Sequence, residues 1–103
     1  MIHLVVTMNI KPGAMEAFLA VAARLRPQVL AEPGCITYTY LKEISTGNPG
    51  QEAVEPNRIT LVECWESQTA LDSHLTTPHM KAFSQEARDF RLGSSLRIGV
   101  EAL

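Results

Sequence analysis

No stretch of this chain reaches the ~20 consecutive apolar residues that a membrane-spanning helix needs, and the N-terminal MIHLVVTMNIKPG has no basic segment ahead of its short apolar run. These absences predict a cytoplasmic protein with no membrane partner. Basic residues are scattered, and nine Lys and Arg against eleven Asp and Glu leave a net charge of -2. Without a basic patch to hold a phosphate backbone, no nucleic-acid partner is expected. The two cysteines, Cys35 and Cys64, lack CxxC spacing and read as reduced, buried thiols rather than a disulfide or a zinc site. The six glycines make no GxGxxG fingerprint or P-loop, and no Ser/His/Asp or Cys/His constellation is evident. Dinucleotide chemistry, phosphoryl transfer and triad hydrolysis therefore lack an anchor.

What is there is patterned. With 46% hydrophobic residues in 103, the chain suffices for one core, so a single domain over residues 1–103 is expected. Residues 3–10 form an apolar, β-branched run closed by Lys11-Pro12-Gly13, which predicts a first strand. Over residues 14–31, Met15, Phe18, Ala22, Leu25 and Val29 recur at spacings of three and four, the signature of a helix with one buried face. Pro27 inside it removes a backbone hydrogen bond and is expected to kink or restart the last turn. Glu32-Pro33-Gly34-Cys35 suits a type II turn before a second strand at 36–41. Residues 58–65 resume strand character after a loop at 44–57, longer than the ~2–5 residues usual in hairpins. Its apolar pair Ala53-Val54 predicts an arm lying across a partner subunit or a pocket mouth rather than a free flap.

Ser67 is placed to cap a short helix through Leu75, and Thr77-Pro78 starts another, with threonine as N-cap and proline at the first position. In that second helix Met80, Phe83, Ala87 and Phe90 keep the helical spacing. Gly93 is expected to end it, and residues 96–103 to form a last strand. The order strand, helix, strand, strand, helix pair, strand predicts an α+β fold: a ferredoxin-like split βαβ protomer, a four-stranded antiparallel sheet with helices on one face. The neighbouring apolar positions of Leu4-Val5-Val6 and of residues 59–64 ask for cover on both faces, which a second copy of the chain supplies sheet to sheet.

The motifs AEPGCITY at 31–38 and ECWESQTALDSHLTTPHMKAF at 63–83, in this element order, resemble the antibiotic biosynthesis monooxygenase (ABM) family, in particular its quinol-monooxygenase-like branch. The resemblance spans essentially the whole chain. It implies a dimeric α+β barrel with a pocket between sheet and helices, and oxygenation of polyphenolic or quinol substrates by O2 without flavin, haem or metal. Relatives degrade haem, process a signalling sugar or have no known activity. The haem-degrading branch is not matched: its Asn on the first strand, Trp on the short helix and His on the following helix correspond to Val6, His74 and Ser84. The 44–57 loop is longer than the tight hairpin of a typical member.

Oxygenation without a cofactor requires an electron-rich substrate anion, so the protein must bind a phenol and take or share its proton. Leu71, His74 and Leu75 share one helical stripe, and a histidine, with an unperturbed pKa of ~6.5, suits that proton. His74 is therefore the candidate catalytic residue; a buried histidine satisfied by a backbone carbonyl or by Glu63 is the competing reading. Trp65 offers a flat face for stacking on an aromatic substrate, or a core position. Tyr38 and Tyr40 share a sheet face, and their hydroxyls are candidate contacts to quinol oxygens or simply packed phenols. Asn9, near the end of the first strand, completes the expected substrate contacts and, like Glu63, should be buried with a partner. For Glu63 a structural hydrogen bond or ion pair is expected, for example with Arg58 or Arg97. His79 is assigned to surface or capping duty. No metal is expected, because His74 and His79 stand five apart with a helix start between them. The alternative function is a non-enzymatic dimeric protein of the same fold that binds a small ligand or assists a stress or biosynthetic assembly.

Overall fold

A computed structural model describes residues 1–103. The chain runs β1 (Ile2–Ile10), α1 (Met15–Leu30), β2 (Cys35–Lys42), β3 (Arg58–Trp65), α2 (Gln68–Leu75), α3 (Pro78–Ala87), a single 3-10 turn (Arg88–Phe90) and β4 (Arg91–Gly99). The strands form one antiparallel sheet in the order β2-β3-β1-β4. This is the ferredoxin-like α+β arrangement expected from the element order.

Strand alternation sorts the side chains into two populations. Leu4 and Met8 of β1, Ile59, Leu61, Glu63 and Trp65 of β3, and Tyr38 of β2 are buried, and the ladder pairs Leu4 with Glu63 and Glu63 with Tyr38, so they share the helix side. Phe18, Val21, Ala22, Leu25 and Val29 of α1 and Phe83 and Ala87 of α3 close the core from above. The other face carries Val5, Thr7 and Asn9 on β1, Thr60 and Val62 on β3, and Thr39 and Leu41 on β2. No helix covers that face.

Three expectations are corrected. Pro27 does not restart the last turn of α1, which runs as one helix from Met15 to Leu30. Pro27 is exposed, so the carbonyl deprived of its donor can meet water, and its own carbonyl still accepts from the Ala31 N–H at 3.2 Å. Gly93 does not end α3, which stops at Ala87; Gly93 instead pairs with Asn9 inside β4, beside a register shift at Asn9/Ile10. A glycine within a strand commonly marks such a bulge. β4 accordingly begins five residues earlier than expected, and residues 100–103 lie beyond it, exposed.

The loop between β2 and β3 is bonded to itself. Gln51 ties it together: its Oε1 accepts from Thr46 N–H at 3.1 Å and its Nε2 donates to the Ile44 carbonyl at 2.6 Å. At its base Arg58 Nε donates to Glu43 at 3.1 Å. Glu52 reaches back over the helix-free sheet face, walling a polar depression with Val5, Thr7, Arg58, Thr60, Ser95 and Arg97.

Candidate active site

Between the helix side of the sheet and α2 and α3 lies a cavity of about 200 Å³, floored by Leu4, Val6 and Leu61 and walled by Tyr38, Tyr40, Glu63, His74, Phe83 and Arg91. Short-range signals build its wall. Ser67 Oγ accepts the Ala70 N–H at 3.1 Å and starts α2; Thr77 Oγ1 accepts the Met80 N–H at 3.3 Å and starts α3. The Thr77 hydroxyl also donates to the His74 carbonyl at 2.9 Å, clamping the end of α2 to the start of α3. The Pro33-Gly34 turn forms as expected, with Gly34 at φ +84 and Cys35 N–H donating to the Glu32 carbonyl at 3.2 Å.

His74 is buried where the helical stripe places it, together with Leu71, whereas Leu75, on the same stripe at the end of α2, is 61% exposed and borders the cavity. The imidazole lies against the Trp65 indole with ring centroids 4.5 Å apart and an interplanar angle of 35°, and meets Tyr38 edge-on at 5.8 Å. Its Nδ1 bonds to Glu32 Oε2 at 2.8 Å, and the same oxygen bonds to His79 Nε2 at 2.9 Å. His79 is therefore a half-buried partner of Glu32, not a surface or capping residue.

Trp65 is fully buried behind His74, outside the cavity lining, with its Nε1–H donating to Glu63 Oε1 at 3.0 Å. At that position the indole packs against the His74 ring. The indole, not Arg58 or Arg97, is the partner of Glu63; Arg58 is taken by Glu43. Burial pushes the Glu63 carboxyl above the usual carboxylate range, against the lowering effect of the indole bond. Tyr38 and Tyr40 both line the cavity, and burial raises both phenols, so they stand there as neutral hydroxyls. The Tyr40 hydroxyl is buried without a hydrogen-bond partner, although the Tyr38 phenol is close by. Asn9 is exposed on the opposite sheet face, across from Arg58, and does not join the others.

Two charged residues of the site escaped the sequence reading. Arg91, at the start of β4, lines the cavity with its guanidinium 5.8 Å from the Phe83 ring centroid. Glu32 precedes the Pro-Gly turn, and no spacing rule connects it to a histidine 42 residues later.

The family model for antibiotic biosynthesis monooxygenase matches residues 1–86. Over 100 residues the chain is 34% identical to "Probable quinol monooxygenase YgiN" of Escherichia coli K12, covering 95% of each chain. An uncharacterised Synechocystis protein is 31% identical over 79% of this chain and 49% of its own length. Among solved structures, one from Nitrosomonas europaea that bears the same family name superposes with a TM-score of 0.85 at 19% identity, with full coverage of both chains. A protein from Shewanella oneidensis superposes with a TM-score of 0.76 at 27% identity, over 95% of this chain and 87% of the other.

Proposed function

This chain belongs to the antibiotic biosynthesis monooxygenase family, and from the chemistry of its cavity we propose that it is a cofactor-independent monooxygenase oxidising a small phenolic or quinol substrate with O2, without flavin, haem or metal. The observation that carries the reading is the buried Tyr40 hydroxyl, without a hydrogen-bond partner, in a mostly apolar cavity that also presents His74, Glu63 and Arg91. A buried polar group without a partner costs about 1–3 kcal/mol, and a substrate oxygen would remove that cost. The volume, about 200 Å³, lies below the ~300–1,000 Å³ of drug-sized ligand pockets, which favours a single ring over a polycycle.

In this mechanism Nδ1 of His74 is held by Glu32, leaving Nε2 as the nitrogen that takes the phenol proton. The carboxylate behind the ring orients it and stabilises the imidazolium that forms. Tyr40 donates to the substrate oxygen and Arg91 favours its anion. The anion then reduces O2: a hydroquinone and O2 balance to a hydroxyquinone and water, with one oxygen atom inserted, the other lost as water, and every electron drawn from the substrate. The same reading includes a homodimer formed through the helix-free sheet faces, and a cytoplasmic location in keeping with free Cys35 and Cys64.

Oxygen uptake with a panel of substituted hydroquinones tests the activity. His74→Ala should abolish turnover, with circular dichroism confirming the fold. Tyr40→Phe should keep the fold, since it removes only a hydroxyl, yet lose roughly tenfold or more in kcat/KM, the value of about one hydrogen bond to an anion. Full activity in His74→Ala would sink the proton-transfer role.

A further inference from the structure

We propose that Glu32, His74 and His79 form a binding site for one divalent cation of the zinc class, on the side of the His74 ring away from the substrate cavity. His74 and His79, five residues apart with a helix start between them, are brought to one carboxylate by the fold. Thr77-Pro78 does start a new helix, but the turn carries His79 back, so that one donor atom from each of the three residues lies within 4.8 Å of the others. Two imidazole nitrogens and a carboxylate oxygen are borderline ligands that suit Zn2+ or Co2+. Mg2+ and Ca2+ prefer oxygen alone.

The site is organised before any ion arrives. The Glu32, His74 and His79 side chains are 9%, 2% and 20% exposed, and the Trp65 indole and the Thr77 clamp limit movement of His74. Metal–ligand bonds of about 2.0–2.2 Å set tetrahedral ligand atoms about 3.3–3.6 Å apart, so the two nitrogens, now 2.8 and 2.9 Å from the shared Glu32 oxygen, move outward by roughly half an ångström to admit an ion. Neutral rings need lose no proton: each moves its single N–H to the far nitrogen. Three protein ligands leave a fourth position for water, and Glu32 itself borders a surface cleft with Ser73 and Thr77. Resting on the function proposed above, occupancy carries one consequence: with Nδ1 ligated, His74 Nε2 keeps its proton and cannot act as the base, so the ion inhibits.

The test is a titration of EDTA-treated full-length protein with Co2+, followed by visible absorption. One equivalent per chain should bind with the intense bands of a four-coordinate site, and Zn2+ should bleach them. His79→Ala and Glu32→Gln should each weaken binding by no less than the roughly 10–100-fold that loss of an outer-shell partner costs. His3→Ala, which alters the exposed His3–Glu101 pair, should leave the bands intact. Absence of saturable Co2+ binding below about 100 μM (a Kd in the weak-binding range), or binding that follows His3 rather than His79, overturns the site and leaves a hydrogen-bonded triad only. Zn2+ should also lower quinol-dependent oxygen uptake; binding without inhibition would count against His74 as base while leaving the metal site standing.

Discussion

Glu63 is a carboxyl whose usual charge conflicts with its position. It is 5% exposed on a central strand, and its one bonded partner is the Trp65 indole. Burial raises its folded-state pKa above the unfolded value, and the indole bond only partly opposes this. A raised acid stabilises the fold where both states are protonated, below the ordinary value of about 4.3, and that contribution is lost as pH rises through the folded-state pKa. Glu63→Gln retains an oxygen for the indole N–H but never ionises. Its melting temperature relative to wild type should therefore climb between pH 4 and pH 8, whatever constant offset the amide adds. A pH-independent difference in thermal melts would show that the carboxylate is not strained by burial.

At the scale of elements, the junctions matter more than the elements themselves. The turn that brings Glu32 to α2 depends on Gly34 for two reasons: its φ is +84, and an added Cβ would stand 2.6 Å from the Ala70 Cβ on α2. Glu66 N–H donates to the Gly34 carbonyl at 2.8 Å, so the turn cannot easily back away. Gly34→Ala should cost roughly 2–5 kcal/mol, combining left-handed strain with overpacking. Gly13 has the same sign of φ, at +83, with nothing within 4 Å of its virtual Cβ. Gly13→Ala should show only the strain, about 1–2 kcal/mol. Equal losses for the two in chemical denaturation would remove the docking argument. The helix starts at Ser67 and Thr77 were legible in the sequence because an N-cap is a bond between residues three apart. The start of β4 was not. Lys11 N–H donates to the Phe90 carbonyl at 2.9 Å, and pairing with β1 drew residues 91–95 into the sheet despite Gly93.

For the whole molecule the open sheet face is the unfinished surface. Val5 is 42% and Leu41 48% exposed there, among threonines, and no helix is long and apolar enough to place the chain in a membrane. Sheet-to-sheet pairing of two copies would bury ~800 Å² or more per protomer, the scale of a stable interface. The 43–57 loop belongs to this side: Glu52 overlies the helix-free face, with the sheet between it and the cavity. In the proposed dimer the loop would lie beside the interface, across the sheet from the cavity. Replacing residues 46–55 with an Asn-Gly turn should shift the dimer toward monomer in light scattering at micromolar concentration, while KM for a quinol stays constant. An unchanged dimer would identify the loop as a tolerated insertion.

The sequence by itself determined the order and type of the elements, the caps at Ser67 and Thr77, the Pro-Gly turn and the buried face of α1. Each of these follows from sterics, short hydrogen bonds or periodicity within a few residues. It also placed Tyr38 and Tyr40 together, since a period of two needs no partner strand. Only the tertiary structure decided what depends on relative position. Strand register put Asn9 on the face away from the tyrosines, and the packing of α2 left Trp65 behind His74 rather than in the cavity lining. The turn after α1 brought Glu32 to two histidines more than 40 residues away. Contacts of that range are set by how whole faces pack and by which buried polar groups must be paired, and no local pattern in the chain encodes which carboxylate will meet which imidazole.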